Sequence, residues 1–301
     1  MIRRLDAATE TFLTDLAEIS RRVERAQREL GTGRRVNRPS DAPDEISRLL
    51  QLRSELAQTE QIRSNLGRVK TEVDTAEQTL QDAVRLLDRA AVLGAQGMNG
   101  TTSPEQRRMI AEEVETLLDQ MVGLARARVE ARYIFSGDAD SQAPFTLDLS
   151  LDDPVSDYLG GPTSRQIMHP AGTAFPVAKT GEEIFDNPDP EKNVFQAINN
   201  LRLALRDNDE AGMAAAMDQI ESASAHLNEQ LAWYGAVQNQ VTQALDFAYK
   251  HELRLKERIG AIEDADIAEA ILELNQGTYQ REVALQSKSR NQKISLFDYL
   301  G

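Results

Sequence analysis

The chain contains no cysteine, which excludes disulfides, thiolate nucleophiles and cysteine-held metals. No apolar run approaches the roughly 18 residues that a membrane span needs, so membrane insertion is not expected. The first residues, Met1-Ile2-Arg3-Arg4-Leu5-Asp6, lead into Glu10 and Asp15 and not into an apolar core with a small-residue cleavage site. A secretory signal peptide is therefore not expected, although export routes that read no cleavable signal stay open. Positive charge is outweighed: the net charge of −15 argues against nucleic acid, whose phosphates would be repelled. The histidines are few and scattered, at His169, His226 and His251. His226 and His251, on one predicted helix, would stand roughly 37 Å apart at about 1.5 Å per residue, too far for a shared metal. No Walker-type loop, dinucleotide glycine fingerprint or Gly-x-Ser-x-Gly elbow is present. Neither a cofactor nor a catalytic site is expected. Asn99-Gly100-Thr101 matches a glycosylation sequon, but three-residue matches arise often by chance.

What the chain does have is helical periodicity at both ends. Leu5, Ala8, Phe12, Leu16, Ile19, Val23, Ala26 and Leu30 lie on one stripe and predict a helix over about 3–30. Gly31-Thr32-Gly33 can end it, since glycine takes the left-handed cap cheaply. Pro39 disfavours helix at Arg38, Ser40 and Asp41 can cap a following helix, and Pro43 suits its first turn. That helix is predicted over about 42–95, with Leu66, Val69, Val73, Ala76, Leu80, Ala83, Leu87 and Ala90 alternating three and four apart. Such a length, roughly 80 Å at about 1.5 Å per residue, suits a coiled-coil or rod-like bundle. Ser103-Pro104-Glu105-Gln106 reads as a capping box for a third helix reaching about Arg132. Short connections imply antiparallel packing.

The pattern then changes. Tyr133-Ile134-Phe135-Ser136-Gly137 reads as a strand, and residues 138–190 hold seven of the ten prolines. Phe145-Thr146-Leu147 and Phe175-Pro176-Val177 are weak strand candidates in a small β-rich insert. Helix resumes near Glu191 with Val194, Ile198, Leu201 and Leu205. From Glu210 to Ile262 a heptad stripe runs from Met213 through Leu227 and Val241 to Leu255, broken only at Ser224, Gln238 and Glu252. Those three face solvent or fix register, solvent being the favoured reading. Asp266 with Glu269 can cap a last helix carrying Ile267, Ile271 and Leu274 to about Ser289.

Fold class is thus mainly α: a long antiparallel helical rod or coiled-coil bundle from both chain ends, with a small β-rich insert. Charge is uneven. Residues 1–38 carry nine basic against six acidic side chains, and residues 138–210 five against fourteen. Arg34, Arg35 and Arg38 can bind acidic helix faces and helix-end carbonyls, or form a subunit contact. The apolar ends suit a subunit that binds copies of itself or relatives through helical termini. The candidate assembly contacts are Leu5, Phe12, Leu16, Ile19, Val23 and Leu30, with Ile267, Ile271 and Leu274, and Leu296, Phe297, Tyr299 and Leu300 in the tail.

The segment Gly33-Arg34-Arg35-Val36-Asn37-Arg38-Pro39-Ser40-Asp41-Ala42-Pro43, the stretch Ile134-Phe135-Ser136-Gly137, the run Ile262-Glu263-Asp264-Ala265-Asp266-Ile267-Ala268 and the tail Ile294-Ser295-Leu296-Phe297-Asp298-Tyr299-Leu300 resemble the flagellin superfamily. Within it the chain is similar to the hook-associated branch. Flagellin itself usually has two aspartates and Ala-Ala-Gly where Ser40-Asp41-Ala42-Pro43 stands, and usually lacks a Phe-Asp-Tyr-Leu ending. The resemblance implies terminal helices 1–40 and 264–301 forming an inner coiled coil. It implies a long-helix domain over 41–137 and 191–263, with a β-hairpin near Ile134–Gly137, and an outward insert over 138–190. It implies a structural adaptor between hook and filament, extracellular on the bacterial flagellum, exported through a type III apparatus without a cleaved signal. Implied partners are the other hook-associated junction protein, flagellin, its own copies in a ring, and a cytoplasmic flagellar export chaperone. Flagellin proper, or another type III-exported coiled-coil protein, is the alternative. The terminal stripes would be bare on a monomer with nothing to pair with, so the ends are expected to order on assembly.

Overall fold

The computed structural model describes residues 7–297, with side chains over residues 9–289. Seven helices carry the described chain: α1 (Ala7–Thr32), α2 (Ile46–Gly97), α3 (Pro104–Ala125), α4 (Gly181–Ile184), α5 (Val194–Asp207), α6 (Glu210–Glu263) and α7 (Ile267–Phe297). Two antiparallel hairpins complete it. Strand β1 (Arg128–Val129) pairs with β2 (Arg132–Tyr133), and β3 (Gln166–Met168) pairs with β4 (Ala174–Pro176). The mainly α class with long helices from both ends is as the periodicity predicts. The chain forms two compact units, one of residues 1–58 with 251–301 and the other of residues 59–250.

The larger unit is built on the predicted stripes. Leu66, Val73, Leu80 and Leu87 of α2 meet Val114, Leu118 and Met121 of α3, Ile198 and Leu201 of α5, and Met213, Ile220, Leu227 and Val241 of α6 in one buried core. Ser103 caps α3 as expected: its Oγ accepts from Gln106 N at 3.3 Å, and Ser103 N donates to Gln106 Oε1 at 2.9 Å. The α2–α3 connection is antiparallel, closed by buried Arg107. Its guanidinium donates to Gly97 O at 2.9 Å and Asn208 Oδ1 at 2.7 Å, and pairs with Glu210 at 3.1 Å.

Several sequence expectations need correction in this unit. Helix α3 stops at Ala125, not near Arg132. Tertiary bonds outbid local propensity there: Arg126 Nε donates to Phe145 O at 2.9 Å, and Ile134 N to Ala127 O at 3.1 Å. The hairpin is β1–β2, turned by Glu130 in the left-handed region at φ 56°. Ile134–Gly137 is a turn, not a strand. It is a hub, in which Phe135 O accepts from Gly181 N at 2.7 Å and from Tyr158 Oη at 3.0 Å. Gly137 sits at φ +59°, and a Cβ on it would fall 2.2 Å from Gly161 O, so no other residue fits.

Residues 138–190 hold little strand. Phe145–Leu147 contributes one bridge, Leu147 to Val155, while β4 overlaps the predicted Phe175–Val177. Aromatic packing holds this segment instead. Phe135, Phe145, Phe185 and Phe195 form a chain of rings with centroids 4.9–5.8 Å apart. Short α4, capped by Thr180, was not expected. Ser224, Gln238 and Glu252 do not face solvent as favoured. Ser224 and Gln238 are half-buried, Gln238 Nε2 donates to Asp74 Oδ1 at 2.8 Å, and Glu252 is buried beside Lys256.

Candidate assembly surface

The smaller unit begins with the end of α1. The helix passes through Gly31 and stops at Gly33, whose φ of +69° is the left-handed cap and whose N–H donates to Glu29 O at 2.8 Å. The following segment docks on the end of α6. Arg35 N donates to Glu263 O at 2.7 Å, and Ala265 N to Gly33 O at 3.0 Å. Val36 and Ala42 fill a small core with Leu49, Leu52, Leu255 and Ile262.

The arginine motif is tied in here. Glu263, only 4 % exposed, has its carboxylate oxygens 2.8 Å from Arg34 Nη1 and 2.8 Å from Arg53 Nη2. Arg35 Nη2 reaches Glu45 Oε2 at 2.7 Å and Ile262 O at 2.8 Å. Arg34 and Arg35 thus take the roles of acid and helix-end binding. Arg38 is exposed at the rim. Pro39, Ser40 and Asp41 form one 3-10 turn. Asp41 does not cap α2. Its Oδ2 turns back to accept from Asn37 N at 3.0 Å and Arg38 N at 2.7 Å. Pro43 lies in the turn entering α2, which starts at Ile46, where Ile46 N bonds to Ala42 O at 3.1 Å.

Asp266 caps α7 as expected, its Oδ1 accepting from Ala268 N at 2.9 Å and Glu269 N at 3.1 Å. Helix α7 runs antiparallel to α1, with Arg22 bonded to Gln280 at 2.8 Å and Lys288 Nζ to Thr9 Oγ1 at 3.2 Å. Lys288 Nζ also stands 5.4 Å from the Phe12 ring centre. The stripe of α1 faces this seam: Val23 is 2 % exposed, and Phe12, Leu16, Ile19 and Leu30 are half-buried. Gly277 permits the close approach, since a Cβ there would fall 2.6 Å from Val23 Cγ2. In a single chain the stripe of α1 is therefore covered by α7, the pairing of 1–40 with 264–301 that the resemblance implies.

Helix α7 keeps a second apolar face. Leu274 turns toward the seam, but Ile267 and Ile271 are exposed. Leu272, Tyr279 and Val283 are exposed to 59 %, 69 % and 46 %. Their seven- and four-residue spacing puts them on one line, opposite Ala270 and Gly277 in the seam. The sequence reading missed these three, although the spacing was legible. Leu296 and Phe297 lie on α7, but their side chains fall outside the described ones. Leu5, Tyr299 and Leu300 lie outside the described residues.

Among the described residues, no group of three His, Asp or Glu side chains is placed to hold a metal, and no helix is long and apolar enough to cross a membrane. The three histidines have separate partners: Glu183 O for His226, Glu55 for His251, and the ring of Phe247 for His169.

Comparison with known proteins follows the same two-ended pattern. Residues 6–140 match the bacterial flagellin N-terminal helical region, and residues 217–300 match the bacterial flagellin C-terminal helical region. Flagellar hook-associated protein 3 of Escherichia coli (strain K12) is 28 % identical over 209 residues, covering 64 % of this chain and 64 % of that protein. The chain thus matches less than two thirds of that relative's length. A flagellar filament 30.7 kDa core protein of Treponema maltophilum is 23 % identical over 282 residues, covering 90 % of each chain. A solved structure of a putative flagellar hook-associated protein from Vibrio parahaemolyticus shares the fold. Its TM-score is 0.66 at 21 % identity, covering 74 % of this chain and 100 % of that one.

Proposed function

The chain belongs to the flagellin superfamily, and on that premise we propose that it is a structural adaptor subunit joining hook and filament in the bacterial flagellum. The observation that carries the proposal is the two-faced α7. One face is spent on α1, and the other leaves Leu272, Tyr279 and Val283 in water. Covering such surface stabilises association by roughly 25 cal/mol per Å². A helix apolar on two faces is suited to burial among other helices. The contact is head-to-tail, because interfaces of that kind do not close into dimers and can build a tube.

The partners in this proposal are copies of the chain in a ring, the other hook-associated junction protein on the hook side and flagellin on the filament side. A cytoplasmic export chaperone holds the C-terminal helix before export, and Phe297 and Tyr299 of the tail contact that chaperone or the neighbouring subunits. The subunit works outside the cell on the flagellum, exported without a cleaved signal, and needs neither catalysis nor cofactor. The hook-associated reading is favoured over a filament subunit by the higher identity to the E. coli hook-associated protein and by Ser40-Asp41-Ala42-Pro43 and the Phe-Asp-Tyr-Leu ending.

Deletion of the gene tests the assignment. Hooks should be complete and flagellin should appear in the medium. Hooks that keep their junction and make no filament protein would instead mark a filament subunit. The doubly substituted Leu272→Asp, Tyr279→Asp chain tests the surface: the isolated subunit should unfold at an unchanged midpoint while motility is lost. Normal motility with that variant would remove α7's outer face from the assembly.

A further inference from the structure

We propose that Asn99 is a self-modifying site, whose side-chain amide is converted to aspartate and isoaspartate by its own neighbour, with Thr101 assisting. Asn99, Gly100 and Thr101 lie in the exposed turn between α2 and α3. Chemistry of this kind needs the next residue's backbone nitrogen free to attack the side-chain carbonyl carbon. Gly100 supplies it: a Cβ built there meets nothing within 4 Å, and among the described residues its N–H donates to no backbone carbonyl.

The turn also prepares the electrophile. Asn99 Oδ1 accepts from Thr101 Oγ1 at 3.0 Å and Thr101 N at 3.2 Å. Two donors therefore sit on the oxygen that gains negative charge as the attack proceeds, and such donors act on the transition state more than on the resting amide. The same bonds hold the side chain over its own backbone in an Asx turn.

The step balances without any partner but water. The Gly100 nitrogen gives its proton to solvent and bonds to Asn99 Cγ. The side-chain nitrogen takes a proton from solvent, the Cγ–Nδ2 bond breaks, and ammonia leaves. Water then opens the five-membered imide at either carbonyl. One opening gives aspartate. The other gives isoaspartate, which carries the backbone through the former side chain and lengthens the turn. Either product adds a negative charge beyond the end of α2 and before the start of α3, unfavourable to the first helix end and favourable to the second.

Purified subunit is incubated at neutral pH beside the same chain unfolded in urea, and peptides spanning residues 99–101 are followed by mass spectrometry. The folded chain should gain the mass difference between amide and acid at Asn99 at least as fast as the unfolded one, with isoaspartate among the products. Thr101→Val should slow conversion several-fold in the folded chain and leave the unfolded rate unchanged. Gly100→Ala should slow both. A folded chain converting several-fold more slowly than the unfolded one would overturn the proposal. An unchanged folded rate in Thr101→Val would overturn the part given to Thr101.

Discussion

The two compact units spend their apolar side chains differently. In residues 59–250, long helices and aromatic loops close on one continuous core, and buried cations are fully engaged. Arg202, for example, bonds Asn199 Oδ1 at 3.0 Å, Glu115 Oε2 at 2.9 Å and Asp152 O at 3.2 Å. In the terminal unit, α1 and α7 make a narrow seam, and large apolar side chains remain on the outer side of α7. The larger unit meets the needs of its own sequence. The terminal one does so in part, which is the state expected of a segment awaiting neighbours.

Four perturbations would break or sharpen that contrast. Removing an aromatic anchor from the larger unit should do the most damage. Phe185→Ala is expected to cost about 3–5 kcal/mol, as buried Phe deletions do, read as a fall in the urea midpoint. A near-neutral result would mean the ring chain is not part of the core.

Forcing the seam of the terminal unit should cost less, because most of the α1 side chains that line it are only half-buried. Gly277→Leu would place new atoms against Val23 and is expected to cost about 1–3 kcal/mol. Hydrogen exchange should quicken in α1 and α7 and stay unchanged at residues 66–90. Equal quickening in both regions would show that the two units unfold as one.

The carboxylate of Glu263 is a smaller test. Arg34 and Arg53 are half-exposed, so Glu263→Gln should cost about 1–2 kcal/mol, in the range of hydrogen bonds to charged groups. Limited proteolysis should then cut first within residues 33–45. Cleavage unchanged from the parent would assign the docking to Val36 and Ala42 alone.

The smallest effect should come from pH, and in the larger unit. His226 Nε2 donates to Glu183 O at 3.0 Å, with Gln230 beside Nδ1 at 3.4 Å. Burial pushes its pKa below the ordinary 6.5, the Glu183 carbonyl and Glu229 oppose this, and Lys192 and Lys179 add to it. The unfolded chain therefore takes up the proton first. The stability contribution is whole above about 6.5, falls with acidification below it and is spent once pH drops under the depressed value. His226→Gln should flatten that part of the stability profile. An identical pH profile in the variant would assign the dependence to the carboxylates.

Periodic information was legible in the sequence because it is local and redundant. The stripes of α2 and α6 repeat over many turns, and the caps at Ser103 and Asp266 use adjacent residues. Of the apolar faces, the α1 stripe is legible in the sequence, but that it lies in a seam with α7 is not. On α7 the spacing of Ile267, Ile271 and Leu274 competes with that of Leu272, Tyr279 and Val283, and only the structure shows which side chains stay exposed.

By itself the sequence determined the mainly α class, the long helices at both ends, the punctuation by Gly33, Ser103 and Asp266, and the exclusion of thiol chemistry. Tertiary structure alone decided where α3 stops, that Ile134–Gly137 is a hub and not a strand, that Gln238 and Glu252 lie inward, and which face of α7 stays in water. The reason is physical. Helical period and caps depend on neighbours within about four residues. A strand, a buried polar side chain or a free helix face depends on what a distant segment brings to it.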